Sequence, residues 1–378
     1  MLIKLSFEDL IKNPAGNFWS LVVVLNFMLA TYFSLPNWIL LPLICLSFWV
    51  FIKKKFSDKR IIFLASITLF SCFSFYICKY NSNEINAIDD LIPLSVLTFL
   101  LFNLAASTVI NLKVIKLFVL FFIVEILTAM ILFISGNKSI YHLISNLNNI
   151  SNYDWSFQSS GVIALSDSTA ALGVNAFLVL ILIFQFFRTD KLFKLFTILG
   201  FLGVLLSGSK FMIFLLILFL GYNFFLIKKM SLFQSITLTL FSITLFLFIL
   251  LGITSVHDLN QLMSERIRIA YKFYDFIKSN MLLGNNSVQY RYINASGKQF
   301  HAHNSFIQTI ANHGLIYFLL IMGLIITQIR SSNVSSLFFL FLLSLCNHVL
   351  FWGFYHVDLI FAFILFQGSN KTEFRLNN

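Results

Sequence analysis

The chain has 378 residues, of which 59% are hydrophobic and only 11% are charged. Since a soluble domain is nearer ~25% charged, this composition argues against a soluble domain and predicts an integral membrane protein. The formal net charge of +11 falls mostly in short gaps between apolar runs, which argues against a nucleic-acid-binding protein and favours a multispanning chain.

Apolar runs near the ~20 residues that a helix needs to cross a bilayer follow one another along the chain. The first run has acidic residues ahead of it and no clear small-residue cleavage site, so we interpret it as a retained span. The sequence therefore predicts an all-α protein of about twelve transmembrane helices, which forms one polytopic domain over residues 1–378. The candidate spans are 18–35, 37–52, 61–79, 91–110, 114–135, 166–187, 192–207, 211–228, 233–253, 314–330, 335–350 and 354–368.

The positive residues fall at alternate gaps between these runs. With a cytoplasmic N-terminus, the cytoplasmic gaps and the two termini together hold 17 of the 26 Lys and Arg residues, while the gap at 81–90 on the other face is acidic. Because cytoplasmic loops carry the excess of Lys and Arg in multispanning proteins, the alternation predicts that both termini are cytoplasmic.

Two segments on the predicted outer face are long. Residues 136–165 are polar with interspersed aromatics, and residues 254–313 form a large loop between the ninth and tenth spans. Either the cations of this loop bind an anionic substrate, or an interfacial helix brings them to lipid headgroups. These cations are Arg266, Arg268, Lys272, Lys278, Arg291 and Lys298.

Residues 264–284 of the large loop, "SERIRIAYKFYDFIKSNMLLG", have a helical pattern. Ser264 is a candidate N-cap and Gly284 a candidate terminator. A helix of this kind can lie on a membrane surface with its cations turned toward a site. Spacings of three and four residues predict one apolar and aromatic face, made of Ile267, Ala270, Tyr271, Tyr274 and Ile277.

Three histidines, His301, His303 and His313, close the large loop. A catalytic zinc site usually needs three placed ligands and a carboxylate to orient them. The loop has no cysteine, and no carboxylate lies between Asp275 and the next span. Acid–base chemistry demands less, because one histidine can accept a proton from a hydroxyl. We expect at least one of the three to be structural, and we interpret His313 as a helix-start residue.

The stretch "SGSK" at 207–210 stands between the seventh and eighth spans. Its hydroxyls and backbone N–H groups at a helix start could bind a phosphate, with Lys210 adding a charge. The alternative is a tight turn with a lysine that extends to the membrane surface.

Two carboxylates, Glu125 and Asp358, fall inside predicted spans. An ionisable residue in a span is a functional hypothesis by default. Glu125 could instead be protonated and hydrogen-bonded to a neighbouring helix. Asp358, close in sequence to His348 and His356, could likewise be either functional or structural.

Three short stretches, together with the many-span layout, resemble a known family. They are the serine-rich turn with its cation, the "R-x-R" helix that ends in "LLGNN", and "HAHNSFIQTIANHGL". The chain thereby resembles the O-antigen polymerase and O-antigen ligase family, membrane glycosyltransferases of the bacterial envelope. In that family a His-Asn or His-Ser pair in the large outer loop precedes a glycine that leads into a span. Here these residues are His303, Asn304 and Gly314.

The chain departs from the family pattern at three places. Lys210 stands where the family usually has arginine, and lysine does not bind phosphate bidentately. His313 stands where an acidic residue often precedes the glycine. The segment "SNMLLGNN" lacks the usual proline before its glycine turn.

The resemblance implies a GT-C-like enzyme of lipopolysaccharide biosynthesis with a periplasmic active site in the bacterial inner membrane. It implies a polymerase that joins undecaprenyl-diphosphate-linked repeat units, or a ligase that transfers the glycan to lipid A-core. His303 would be the catalytic residue that activates or positions the acceptor hydroxyl. The substrate-binding residues would be Lys210, Arg266, Arg268, Arg291, His301 and Asn304.

The same resemblance implies no metal, no cofactor and no nucleotide sugar. The implied partners are the lipid-linked oligosaccharide, membrane lipid and a chain-length regulator protein, with no nucleic acid. A flippase of the same pathway is a third reading, since it also has about twelve spans. Transporters usually show internal repeats and interrupted helices, and we find no convincing repeat in this chain.

Overall fold

The computed structural model of the chain describes residues 18–32, 41–53, 59–82, 94–107, 110–137, 162, 164–165, 169–223, 266–284, 292–293, 299–346, 349–351 and 355–367. Within these ranges the chain forms twelve helices and one short antiparallel hairpin. The all-α prediction is therefore confirmed, apart from a hairpin of two residues in each strand.

The elements follow in chain order. The first eight helices are α1 (Phe18–Tyr32), α2 (Leu41–Lys53), α3 (Lys59–Ser82), α4 (Leu94–Ala105), α5 (Leu112–Ile134), α6 (Thr169–Phe186), α7 (Phe193–Leu206) and α8 (Lys210–Gly221). The remaining elements are α9 (Arg266–Ser279), β1 (Tyr292–Ile293), β2 (Gln299–Phe300), α10 (Ser305–Gln328), α11 (Val334–Cys346) and α12 (His356–Gln367).

Eleven of the twelve predicted apolar runs coincide with a helix, and the run 233–253 lies outside the described residues. Two of the described helices, α5 and α10, are long and apolar enough to cross a membrane by length and composition. Eight further apolar helices are 10–17 residues long. Most of the predicted outer segment 136–165 also lies outside the described residues.

Helices α6 and α12 are buried almost all round, as expected for helices that are hydrophobic on every side. Phenylalanine rings fill the space between them and their neighbours. Phe177 of α6, Phe219 of α8 and Phe339 of α11 meet edge to face, with ring centroids 5.0–6.2 Å apart. Gly203 of α7 lets that helix approach α5 and α6, since a Cβ there would lie 2.7 Å from Ile126. The abundant phenylalanine thus serves helix packing.

The helix ends gather into two groups. At one end, the Gln185 side chain of α6 bonds to Ser332 and Ser336 at the start of α11, and Asn333 donates to the end of α12. Arg60 at the start of α3 donates to Gln328 at the end of α10. Helices α10, α11 and α12 therefore alternate in direction.

The opposite end, which we call the histidine end, carries the predicted site. The end of α5 and the start of α6 share a small apolar cluster with Val162 and Ala164, against which Leu206 of α7 packs. The N–H of Val162 donates to the carbonyl of Leu206 at 2.9 Å. The starts of α8, α10 and α12 lie at this end too.

Candidate functional site

Helix α9 confirms the helix predicted within the large loop. It starts at Arg266 and ends at Ser279, and a turn then leads to Gly284 with φ +68°. Ser264, the predicted N-cap, lies outside the described residues.

The tyrosines of the apolar and aromatic face predicted for α9 do not pack against the rest of the protein. Tyr271 and Tyr274 are 63% and 60% exposed, whereas Ile269 and Phe273 are buried. These two pack with Ala302, Ala311 and Phe276 into a small cluster of their own. Spacings of three and four residues occur on both sides of this helix, so the spacing alone did not identify the buried side.

Two glycines bring the ends of the large loop together. The turn before Gly284 lies against Gly314, where a Cβ would come within 2.1 Å of the carbonyl oxygen of Leu282. The N–H of Leu315 donates to the carbonyl of Met281 at 2.8 Å. The segments "LLG" and "NHG", separate in the sequence, therefore form one contact.

Gly314 divides α10 into two arms. Its φ of +82° and ψ of 169° are not helical, and the second arm begins at Leu315. The first arm, 305–313, comes before the predicted start of the span at 314. Its polar side chains face inward, with Ser305, Gln308 and Asn312 buried.

The prediction that His313 starts a helix is wrong. His313 is the last residue of the first arm of α10. It is buried, and its ring lies 4.6 Å from the ring of Tyr317. This position suits a structural histidine.

The remaining two histidines lie in what we call the histidine turn, residues 301–305, which follows β2 and includes the first residue of α10. His303 has a φ of +53° and a half-buried side chain. Left-handed backbone is uncommon for a residue other than glycine and costs roughly 1–3 kcal/mol, so it persists only where the surrounding structure imposes it. The question is therefore what holds the turn.

Asn304 caps α10 and ties it to α11. Its Oδ1 accepts hydrogen bonds from the N–H groups of Phe306 and Ile307 at 2.9 and 3.0 Å. Its Nδ2 donates to the carbonyl of Leu345 at 2.9 Å. Both amide atoms of Asn304 thus fix the residue that follows His303. A direct contact of Asn304 with substrate stays a prediction.

Gln308 holds the other side of the turn. Its Oε1 accepts from the N–H of Ala302 at 3.0 Å, and its Nε2 donates to Oδ1 of Asn312 at 3.0 Å. Gln308 and Asn312 are both buried. Hydrogen bonds therefore fix the residues on both sides of His303, and the one at Ala302 is buried.

Ser305 joins the turn to α12 through residues 349–351. The Oγ of Ser305 accepts from the N–H groups of Val349 and Leu350, both at 2.9 Å. The next N–H, that of Phe351, donates to Oδ1 of Asp358 at 2.6 Å. Phe351 also has a positive φ, of +66°. Asp358 thus supports the segment whose N–H groups donate to Ser305.

The serine turn, 207–210, lies at the same end. Ser207 is buried; its Oγ donates to the carbonyl of Val204 at 2.7 Å and accepts from the N–H of Ser209 at 3.3 Å. Gly208 has a φ of +61°. The α6 helix packs closely on this turn, since a Cβ on Gly173 would lie 2.9 Å from Ser207 Oγ. Ser207 thus stabilises a tight turn, which is the predicted alternative to a phosphate site at residues 207–210.

The predicted cations lie on different elements. Arg266 begins α9, and Arg268 lies on its exposed side. Helix α9 packs on α10 and β1, and its Ile269 and Phe273 pack with Ala302 of the histidine turn. Lys210 begins α8, which packs against α6, α7 and α11. Arg291 lies outside the described residues.

A second polar cluster connects α5, α6 and α12. Nδ2 of Asn175 donates to Oε2 of Glu125 at 3.0 Å, and Oδ1 of Asn175 lies 3.1 Å from Nε2 of His356. All three side chains are buried. The structure thus shows a hydrogen bond between Glu125 and a neighbouring helix, in which Glu125 accepts.

Sequence reasoning missed Ser305, Gln308 and Asn312, which shape the histidine turn. One signal could have found them: polar residues recur at spacings of three and four before an apolar stretch, which indicates a buried polar face. In the part of the chain that the structure describes, no three His, Cys, Asp or Glu side chains cluster so that they could hold a metal ion.

Comparison with known proteins finds no relative: no family model, no curated protein and no solved structure matches the chain.

Proposed function

We propose that the chain is a membrane glycosyltransferase that joins lipid-linked oligosaccharide repeat units, an O-antigen polymerase. The donor is a glycan on undecaprenyl diphosphate, and the reaction takes place on the periplasmic face of the bacterial inner membrane. The chain crosses this membrane about twelve times with both termini cytoplasmic, and a chain-length regulator protein is a partner. This proposal starts from the sequence resemblance and gains support from the geometry of the histidine turn.

The observation that carries the proposal is the fixed position of His303. Ala302 donates a buried hydrogen bond to Gln308, Asn304 donates to the Leu345 carbonyl of α11, and Ser305 accepts from the N–H groups of residues 349 and 350. The side chain of His303 is half-buried just before the start of α10, and its backbone is left-handed. Strained backbone that surrounding structure holds in place is typical of functional sites, and a fixed base is what acid–base catalysis requires.

In the proposed reaction, the acceptor sugar hydroxyl attacks the anomeric carbon of the donor. The bond between that carbon and the diphosphate oxygen breaks, and the diphosphate leaves with the bonding electrons. The hydroxyl proton passes to His303, which acts as the general base. His301 and Asn304 line the acceptor side of the turn.

The leaving diphosphate gains negative charge, which fixed cations stabilise. Arg266 and Arg268 fit this role because α9 packs beside the first arm of α10. Lys210 begins a helix at the same end of the bundle, where the helix dipole also favours an anion. Arg291 completes the proposed set.

The test replaces His303 by asparagine and by alanine in a cell that depends on this chain for its lipopolysaccharide. Asparagine tolerates left-handed backbone as histidine does. His303→Asn therefore removes the imidazole and leaves the backbone strain of the turn about the same. We expect both variants to reach normal membrane levels and to produce core with a single repeat unit on a lipopolysaccharide gel. Long chains at the wild-type level from His303→Asn would overturn the assignment.

Deletion of the whole chain separates this proposal from its two alternatives. Core with one repeat unit supports a polymerase. Core alone with lipid-linked polymer accumulated would mean a ligase, and core alone with lipid-linked units trapped inside would mean a flippase. Either of these last two outcomes would contradict the proposal.

A further inference from the structure

The side of α9 that faces away from the bundle is unusually apolar. Tyr271 and Tyr274 lie on it, and the turn that follows exposes Met281, Leu282 and Leu283 by 50%, 56% and 38%. The opposite side of α9 already contacts the protein through Ile269 and Phe273. The exposed side chains are therefore not needed to pack α9 on α10.

The position of this surface follows from the backbone bonds of the turn. The N–H groups of Leu315 and Ile316 donate to the carbonyls of Met281 and Leu282 at 2.8 and 3.4 Å. The turn is thereby fixed at the first residues of the second arm of α10. That arm belongs to a helix apolar enough to cross a membrane, and it exposes apolar side chains of its own, among them Leu319 and Ile326. Exposed apolar surface thus occurs both on the arm and on the turn fixed to its beginning.

The charges on the exposed side of α9 are mostly positive. Lys272 and Lys278 are exposed, and Asp275 is the one acidic residue of the helix. Tyr271, Tyr274 and Lys278 are three and four residues apart, so they form one stripe along the helix. Tyrosine is enriched at membrane–water interfaces, and lysine stems lie along apolar surface while the ammonium stays in water.

We propose that this stripe, with Met281, Leu282 and Leu283, lies in the headgroup layer of the membrane and contacts anionic phospholipid. Helix α9 then runs along the membrane surface, with its buried side on the first arm of α10 and its tyrosines toward lipid. Lys278 pairs with the phosphates of the headgroups. This inference does not rest on the proposed function, since it concerns only where α9 lies.

The test measures the depth of two positions on α9 in the full chain, reconstituted into phosphatidylethanolamine vesicles that contain phosphatidylglycerol. A nitroxide is attached to a cysteine at position 274 or at position 279, in a chain whose four native cysteines are serine. Tyr274→Cys lies on the stripe, and Ser279→Cys is a matched exposed position on another side of the same helix. Collisions with oxygen report lipid, and collisions with a water-soluble nickel complex report water.

We expect the label at 274 to collide several-fold more with oxygen than with the nickel complex, and the label at 279 to show the reverse. Vesicles without phosphatidylglycerol should shift position 274 toward the nickel complex. Equal access of both positions to the nickel complex would overturn the proposal. Protection of position 274 from both reagents would overturn it too, since a protein surface would then cover the stripe. An unchanged result without phosphatidylglycerol would overturn the assignment to anionic headgroups.

Discussion

The histidine turn and the serine turn lie at the same end of the bundle, and both place polar residues directly before an apolar helix. The serine turn closes on itself, because Ser207 bonds to Val204 and Ser209 within the same few residues. The histidine turn is held from outside, by α11, by the segment at 349–350 and by Gln308. The hydrogen bonds of the serine turn thus stabilise only the turn itself. Those of the histidine turn come from other segments and hold one side chain, His303, in a fixed position.

This difference has a consequence for mutation. The geometry around His303 should respond to changes in residues far from it in sequence, whereas the serine turn should respond mainly to its own residues. Three predictions test the comparison.

The largest effect is expected at Gly314, which supports the histidine turn from the far end of the first arm. In Gly314→Ala the new Cβ would lie 2.1 Å from the Leu282 carbonyl oxygen, at a residue with φ +82°. We expect a loss of about 3 kcal/mol or more of folding free energy, from backbone strain and overlap together. The measurement is the thermal unfolding midpoint of the purified chain in detergent.

Gly323 in the same helix is the matched control for Gly314. A Cβ there would meet no atom within 4 Å, so Gly323→Ala should be neutral or stabilise the helix by up to about 1 kcal/mol. Equal unfolding midpoints for the two variants would show that the kink does not need its glycine.

An intermediate effect is expected from a pair of buried serines, one in each turn. Ser305→Ala removes the acceptor of two buried N–H groups and should cost about 2–3 kcal/mol, while Ser207→Ala should cost about 1 kcal/mol. Ser305→Ala should also slow glycan polymerisation roughly 10-fold, because a shift of His303 misplaces the base. Unfolding midpoints and chain formation, measured on both variants, check this order. If Ser207→Ala slowed the reaction as much as Ser305→Ala, the contrast between the turns would be lost.

The smallest effect is expected at Lys210. If the side chain supplies one charge to the diphosphate, Lys210→Ala should lower the rate roughly 10-fold, and Lys210→Arg should stay within about 3-fold of wild type. Rates with the same amount of protein in the membrane give the comparison. An unchanged rate for Lys210→Ala would leave the serine turn with a structural role alone.

Much of the helical framework could be predicted from the sequence because its signals are local. Apolar runs of sufficient length marked eleven described helices, and the polar and aromatic pattern marked α9. The start of α10 was misplaced because its first arm is polar. Hydropathy therefore marked only the second arm, after Gly314.

The site was predicted less completely because its contacts join distant segments. His303 and Asn304 stood out through the family resemblance, but nothing in the sequence indicated that Ser305 meets Val349 or that Gly314 meets Leu282. The buried side of α9 was not identified either, since Ile269 and Phe273, four residues apart, and Tyr271 and Tyr274, three residues apart, both fit a helical face. Only the packing partner decides which of two such faces is buried.

The most direct test of the account supplies the purified chain, reconstituted in vesicles, with undecaprenyl-diphosphate-linked repeat units as the only substrate. Electrophoresis of the products then reports chain length with time. The account predicts that the wild-type chain forms longer glycans without nucleotide sugar and in the presence of a metal chelator. His303→Asn should extend them at least about 100-fold more slowly, as expected for loss of a general base. Extension by His303→Asn at the wild-type rate would contradict it.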